Sequence, residues 1–238
     1  MIDCSFIISF RDREEHLSKL LPQLQAVVKD YSYEIIIAEQ DDADKFQKNS
    51  LYNLAAQKAN GTYLVFHDVD YYPSDNVEYL PKTDTPYYPV GKVIFLDSKD
   101  DLKPLDQIPG GYKNFYNSVG DHSGGVFTLS KDLFFKTGGL NPYYKGWGKE
   151  DDDTRDRLRL LGYTWERDLK GIFYALDHSD NKPADNDPDF INNHILLANL
   201  KNTLHLGYKH VSADIEEYTA GDNIKWLKIK NFIYESIN

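Results

Sequence analysis

The sequence has little of three things that often define a function: cysteine, net positive charge and long apolar runs. One cysteine, Cys4, in 238 residues excludes an intramolecular disulfide and a zinc site built from several thiolates. The net charge of -11 argues against nucleic-acid partners, because these require a basic surface. No run approaches the ~18 apolar residues of a membrane span, and the first residues lack a signal-peptide pattern. We therefore expect no nucleic-acid partner, no transmembrane segment and a cytoplasmic location.

Apolar periodicity predicts an α/β fold built around a parallel sheet. Short apolar segments that are typical of buried strands occur at residues 5–10, 34–39 and 63–67. Helical spacing occurs between them, at residues 14–29 and 48–60, and Gly61 is expected to end the second helix at its C′ position. This β-α-β-α-β order predicts a single Rossmann-like domain with a mostly parallel central sheet flanked by helices.

The rest of the chain gives weaker signals. We expect strands at residues 92–96, 124–130 and 171–176, helices at 151–161 and 192–206, and a polar loop at 179–189. A small basic and aromatic patch at 225–230 is interpreted as surface packing. No repeat or linker divides the chain.

Asp68 and Asp70 follow the third apolar strand directly. Ligands of parallel sheets bind beyond the carboxyl ends of the strands, and hard carboxylate oxygens there suit Mg²⁺ or Mn²⁺ bridging a diphosphate. The same residues could end the strand in a turn with Asx hydrogen bonds. The local sequence favours neither interpretation.

Residues 146–153 read GWGKEDDD, which places four consecutive carboxylates next to a tryptophan between two glycines. Four adjacent like charges are not expected in a core. An acidic helix N-terminus accounts for Asp152 and Asp153, but it does not account for Trp147. A glycine-hinged tryptophan beside carboxylates is typical of a lid over a sugar.

Several segments, taken in order, resemble the β-1,4-galactosyltransferase family (glycosyltransferase family 7, GT-A fold). They are Phe10-Arg11-Asp12-Arg13, Phe66-His67-Asp68-Val69-Asp70, Gly124-Gly125-Val126, residues 146–153 and His178-Ser179-Asp180. The resemblance runs in the same order from residue 7 to about residue 230. The chain resembles a bare catalytic domain, of the kind found in bacterial capsule or lipooligosaccharide synthesis.

The resemblance implies an inverting, metal-dependent transfer of galactose or N-acetylgalactosamine from a UDP-sugar to a glycan acceptor. It implies one GT-A domain over residues 1–238, with a nucleotide-binding half at 1–75 and an acceptor and catalytic half at 120–238. Mn²⁺ or Mg²⁺ is the expected cofactor. A lipid-linked acceptor would bring the protein to the inner membrane as a peripheral protein.

The resemblance also implies a role for each matching residue. Asp151 is the expected catalytic base, and Asp70 and His178 are the expected metal ligands. The residues expected at the donor are Phe10, Arg11, Arg13, Lys48, Asp68, His122, Gly125 and Trp147. The residues expected at the acceptor or sugar are Glu150, Asp152 and Phe190.

Four positions depart from the family pattern, and one of them is Asp189, which replaces an acceptor-contacting arginine and leaves the acceptor open. The other three concern the donor and the metal. Lys48 replaces an arginine, so a cation is kept but the bidentate guanidinium is lost. Ala175 replaces a methionine metal ligand, which leaves the preferred metal open. His122 replaces a donor-selecting tyrosine, and its smaller ring makes UDP-GalNAc an alternative to UDP-Gal.

Two other function classes stay open from the residues alone. A sugar-nucleotide hydrolase or nucleotidyltransferase could use the same sheet and acidic pair. A non-catalytic carbohydrate-binding module could use the carboxylates and tyrosines without turnover.

Overall fold

A computed structural model of the chain describes residues 2–96, 113–117, 124–176 and 183–235, and these form the predicted α/β fold. The main sheet has eight strands. In spatial order they are β11 (Val211–Gly221), β12 (Ile224–Tyr234), β2 (Tyr33–Gln40), β1 (Cys4–Phe10), β3 (Tyr63–Asp68), β8 (Val126–Ser130), β5 (Tyr87–Tyr88) and β9 (Glu166–Arg167). The four strands β12, β2, β1 and β3 are mutually parallel neighbours.

A second, four-stranded sheet lies beyond the end of β3. Its strands, in spatial order, are β4 (Tyr71–Pro73), β10 (Ile172–Leu176), β6 (Lys92–Leu96) and β7 (Lys113–Asn117). Because β4 begins three residues after β3 ends, Asp70 lies at the junction of the two sheets.

The described part of the chain also has two short 3-10 helices, Leu200–Asn202 and Tyr208–His210, and five α-helices: α1 (Glu14–Val27), α2 (Lys48–Lys58), α3 (Lys131–Lys136), α4 (Glu150–Leu160) and α5 (Pro188–Ala198). The parallel strands are buried on both faces, as their continuous apolar runs predict. On β1, Phe6 and Ile8 pack in the cluster that contains Leu20 of α1, whereas Ile7 packs in the cluster that contains Leu51 of α2. No helix in the described ranges has both the length and the apolar character that crossing a bilayer requires.

Helix α5 begins at Pro188, so the prediction of a helix from residue 192 preceded by a loop to 189 was wrong at this boundary. Asp187 caps the helix, and its side chain accepts hydrogen bonds from the backbone N–H groups of Asp189 (2.9 Å) and Phe190 (3.2 Å). Pro188 takes a first-turn position, where a missing N–H costs nothing. The proline marks the start of the helix, not a loop.

Gly61 does not terminate α2. The helix ends at Lys58 and is followed by extended Ala59. A Cβ on Gly61 would lie 2.5 Å from the backbone nitrogen of Ser5. The glycine is needed for this close approach to β1, which is a tertiary requirement.

The antiparallel hairpin of β11 and β12 was not predicted, and the patch at 225–230 is part of it. Strand β12 adds to β2 in parallel, with Trp226 opposite Ile37. The hairpin therefore extends the sheet at the edge that β2 would otherwise expose.

Candidate functional site

Lys48 lies at the centre of the predicted catalytic residues. Its Nζ is 2.8 Å from Glu150 Oε1, 2.9 Å from Asp151 Oδ1 and 3.7 Å from Asp68 Oδ2. The start of α2, the end of β3 and the start of α4 thus meet at one ammonium group. Burial opposes its charged form, but the three carboxylates raise the pKa of Lys48 well above its usual range. One cation against three carboxylates leaves a negative site that suits a further cation.

Asp151 combines partial burial with two neighbouring carboxylates. Burial has the largest effect and raises the pKa of Asp151, as do Glu150 and Asp68, whereas Lys48 lowers it. The net result is a pKa of about 7. The side chain keeps 30% exposure, so an incoming group can reach it. A carboxylate with a pKa near neutrality has the basicity that general-base catalysis requires.

Asp68 has a second partner on α2. The Tyr52 hydroxyl donates a hydrogen bond of 3.0 Å to Asp68 Oδ1, and the backbone N–H of Asp68 donates to the carbonyl of Gly125 (2.8 Å). The pKa of Asp68 is raised mainly by burial, which Lys48 opposes. The acid is held rigidly at the carboxyl end of β3.

Asp70 is 9% exposed, and its Oδ2 lies 4.0 Å from Arg13 Nη1. Within the described ranges, no three His, Cys, Asp or Glu side chains form a group that could hold a metal ion. The other predicted ligand, His178, lies outside the described residues, as does His122. Hard carboxylate oxygens on a site with excess negative charge fit a Mg²⁺ or Mn²⁺ ion, and Asp70 stays a predicted ligand.

Gly125 is constrained by its neighbour across the site. Its φ is +91°, and a Cβ there would overlap Cε1 and Cζ of the Tyr71 ring. The family motifs predict Gly125 at the donor, whereas Tyr71 was not singled out from the sequence. The available signal was the position of Tyr71 directly after Asp70.

Phe10 is the last residue of β1, and Arg11 and Arg13 follow the strand end, as predicted. The Phe10 ring is 2% exposed and packs edge-on against Trp226, at 5.6 Å between centroids. The Arg11 guanidinium lies 5.4 Å from the centre of the Phe46 ring and donates a hydrogen bond to the Asp44 carbonyl. Phe46 was not singled out from the sequence, and Arg11 places it at this edge of the sheet.

Trp147 and Phe190, which the sequence assigned to donor and acceptor, are stacked. Their ring centroids are 5.9 Å apart with an interplanar angle of 26°. Buried Asn193, one turn along α5 from Phe190, donates to the carbonyl of Lys145 (2.9 Å) and to that of Trp147 (3.4 Å). Helix α5 thereby holds both the ring and the backbone of the Trp147 loop. Whether this loop acts as a lid stays a prediction.

The backbone of this loop needs its glycines. Gly146 and Gly148 have φ values of 67° and 103°, and Lys149 follows with φ 74°. The chain turns sharply here and then enters α4. Glycine takes this left-handed conformation without steric cost.

The four carboxylates of residues 150–153 have separate partners. Glu150 and Asp151 contact Lys48, whereas Asp152 contacts Lys149 (3.1 Å) and Arg155 (3.0 Å). Asp153 is fully buried and pairs with buried Arg157, at 2.9 Å. Asp153 lies in the first turn of α4, as predicted, but the expectation that none of the four carboxylates would lie in a core was wrong for it, because Arg157 neutralises it there.

Two family models match the chain. Residues 2–81 match the N-terminal region of glycosyl transferase group 7, and residues 110–179 match a family described as the N-terminal domain of galactosyltransferase. Human β-1,4-galactosyltransferase 4 is 30% identical over 190 residues, which covers 75% of this chain and 49% of that protein. A β-1,4-N-acetylglucosaminyl-transferase from Lymnaea stagnalis is 31% identical over 159 residues, covering 64% of this chain and 29% of that protein. The chain spans about half the length, or less, of these relatives.

The fold is similar to that of a solved structure across its whole length. A mutant of Drosophila β-1,4-galactosyltransferase 7, in complex with manganese, UDP-Gal and xylobiose, aligns with a TM-score of 0.70 at 22% identity. The alignment covers 100% of this chain and 96% of that one. The fold is the GT-A type predicted from the sequence.

Proposed function

The chain belongs to the β-1,4-galactosyltransferase family (glycosyltransferase family 7), and from this premise we propose that it is a UDP-sugar-dependent hexosyltransferase. The proposed reaction transfers galactose or N-acetylgalactosamine to a glycan acceptor with inversion, giving a β linkage. The observation that carries the proposal is the convergence of Asp68, Glu150 and Asp151 on Lys48 at the carboxyl end of β3. This edge is where open α/β sheets bind nucleotides.

Asp151 is the proposed base. It would take the proton of the acceptor hydroxyl while that oxygen attacks the anomeric carbon from the face opposite UDP. One base is enough for inversion, since no covalent intermediate forms. Lys48 would then have two roles, because its ammonium can bind Asp151 or a phosphate oxygen of the donor.

A divalent cation is part of the proposal, with Asp70 and His178 as its ligands. Held by these residues, Mn²⁺ or Mg²⁺ would supply positive charge to balance that of the departing diphosphate. A manganese and UDP-Gal complex of the Drosophila enzyme with the same fold supports this choice. Arg13, which is 4.0 Å from Asp70, would add a cation on the diphosphate side.

The division of labour along the chain is proposed on the same basis. Residues 1–75 would bind the nucleotide, and residues 120–238 would supply the base and the acceptor site, with Glu150, Asp152 and Phe190 at the sugar. A role in bacterial surface polysaccharide synthesis, in the cytoplasm or at the inner membrane on a lipid-linked acceptor, rests on the resemblance of the motifs alone.

The test is a donor screen with UDP-Gal and UDP-GalNAc, in which UDP release is measured with Mn²⁺ or Mg²⁺. We expect release that requires an acceptor ending in N-acetylglucosamine or a hexose. Asp151→Asn should reduce turnover about 10²- to 10⁴-fold, the usual contribution of a general base, and should leave UDP binding intact. Asp156→Asn, an equivalent change at an exposed position of α4, is the control.

Two results would favour the other function classes. Equal UDP release with and without acceptor would indicate a sugar-nucleotide hydrolase. Glycan binding without UDP release from any donor would indicate a binding module. Wild-type turnover by Asp151→Asn would show that the base is another residue.

A further inference from the structure

Tyr71 is a residue of the candidate site to which the family pattern gives no role. It follows Asp70 directly and is 7% exposed. A Cβ on Gly125 would overlap Cζ of its ring, the atom that bears the hydroxyl. The Gly125 carbonyl in turn accepts the backbone N–H of Asp68 (2.8 Å). The hydroxyl end of Tyr71 therefore lies beside the carboxyl end of β3.

The ring is fixed from its other side by β10. Ala175 is the antiparallel partner of Tyr71, so their side chains share one face of the second sheet. The methyl group of Ala175 leaves room for the ring, and the Phe173 ring packs at 6.3 Å from it. Ala175, which departs from the family pattern, and Gly125 together make space for this tyrosine.

The surroundings of the Tyr71 phenol are negatively charged. Burial raises the pKa of Tyr71 most, and the charges of Asp68, Asp70 and Asp151 raise it further. The phenol thus lies in the negative field that the predicted metal ligand and the predicted base share. A neutral phenol both donates and accepts hydrogen bonds.

The Tyr71 hydroxyl has no hydrogen-bond partner among the residues that the structure describes. The neighbouring tyrosines differ in this respect. The Tyr52 hydroxyl donates to Asp68 (3.0 Å), and the Tyr72 hydroxyl lies 2.9 Å from Nδ1 of His16 on α1. A nearly buried, rigid tyrosine with an unused hydroxyl in a polar site is suited to a ligand.

We propose that the Tyr71 hydroxyl forms a hydrogen bond with a hydroxyl group of the transferred sugar and helps to select the donor. The inference rests on the proposed function, since it takes Asp70 to mark the diphosphate and Asp151 to mark the attacking oxygen. The transferred sugar must lie between those two points. The other oxygen-rich group near Asp70 is the diphosphate, and a UDP control distinguishes it.

The experiment compares Tyr71→Phe with Tyr72→Phe in the full-length protein with Mn²⁺. Each variant loses one hydroxyl and keeps the ring. Only Tyr71→Phe removes a hydroxyl from the candidate site. Calorimetry measures binding of UDP and of UDP-Gal or UDP-GalNAc, and kinetics measure KM for each donor.

We expect UDP to bind equally to all three proteins. Tyr71→Phe should weaken binding of the preferred UDP-sugar about 3- to 10-fold, the usual effect of losing one neutral hydrogen bond. It should also change the ratio of kcat/KM between the two donors. Tyr72→Phe should behave as the wild type does in both respects.

Equal loss of UDP and UDP-sugar affinity in Tyr71→Phe would overturn the inference and place the contact at the diphosphate. Donor binding and selectivity like those of the wild type would also overturn it. In either case the wild-type protein still transfers sugar. If the wild-type protein transfers no sugar from any donor, the proposed function itself fails.

Discussion

The pKa of Asp151, raised to about 7, makes the proposed base sensitive to pH in the physiological range. A base acts in its ionised form, so activity should rise as the pH increases through about 7 and fall on acidification. At saturating donor, the dependence of kcat/KM for the acceptor on pH reports the ionisation of the donor-bound enzyme, which is the form in which Asp151 would act as base. We expect a tenfold loss per pH unit well below the pKa.

The measurement is kcat/KM for the acceptor at saturating donor, from about pH 5.5 to about pH 9. Affinity for UDP over the same range is the control for loss of the donor site. A profile that stays flat down to about pH 5.5 would contradict a base with a raised pKa. Lys48→Gln should shift the acidic limb of the profile to higher pH, because Lys48 lowers the pKa of Asp151.

At the scale of a residue, the contact between Lys48 and Asp151 could not be predicted from the sequence. Lys48 and Asp151 are 103 positions apart, and no local pattern connects them. Each was identified separately through the family motifs. Their contact follows from the sheet, which brings the start of α2 and the start of α4 to the same edge.

At the scale of an element, α4 is fixed by a buried ion pair. The Arg157 guanidinium donates hydrogen bonds to Asp153 Oδ1 (2.9 Å) and to the carbonyls of Thr203, Leu204 and Leu206. Asp153→Asn would leave a buried guanidinium without its counterion, which costs about 3–5 kcal/mol. We expect the free energy of unfolding in urea to fall by this amount.

Asp156→Asn provides the matched control on the same helix. Asp156 pairs with Arg155 and Arg159, but its side chain is 34% exposed, and such surface pairs contribute at most about 1 kcal/mol. If the two variants unfold at the same urea concentration, the buried pair does not anchor α4.

The element scale also shows where sequence patterns mislead. Four consecutive acids predicted a solvated helix start, yet Asp153 is in the core because Arg157 lies one turn further on. An i, i+4 acid–arginine pair was the available signal. The polar composition predicted a loop that includes Pro188, whereas Asp187 forms the N-cap of α5 directly before it.

At the scale of the whole molecule, the parallel strands of the core were predictable from the sequence, and the hairpin of β11 and β12 was not. Continuous apolar runs identify β1, β2 and β3, because strands covered on both faces need them. In β11 only Val211 is buried, so the place of this strand in the sheet depends on β12, which in turn pairs with β2. The fold therefore rests on contacts that a single strand does not encode.

His67 couples this core to pH. Burial lowers its pKa to about 4. Its Nδ1 lies 2.8 Å from the carbonyl oxygen of Asp68, so Nδ1 carries the hydrogen and Nε2 accepts from the Tyr79 hydroxyl at 3.1 Å. In the unfolded chain a histidine has a pKa of about 6.5. Between these values only the unfolded chain binds the proton, so this contribution to stability is lost as the pH falls.

Asp151 opposes this effect, because its raised pKa lets the folded chain bind a proton over the same range. The pH dependence of the wild-type protein therefore mixes both groups, and the difference from His67→Gln isolates the histidine. Lowering the pH from about 7 to about 5 should destabilise the wild-type protein about 2 kcal/mol more than the variant. The free energy of unfolding in urea, measured at both pH values, checks this difference. Parallel changes in the two proteins would mean that His67 is protonated in the folded core, with Tyr79 turned to accept its second hydrogen.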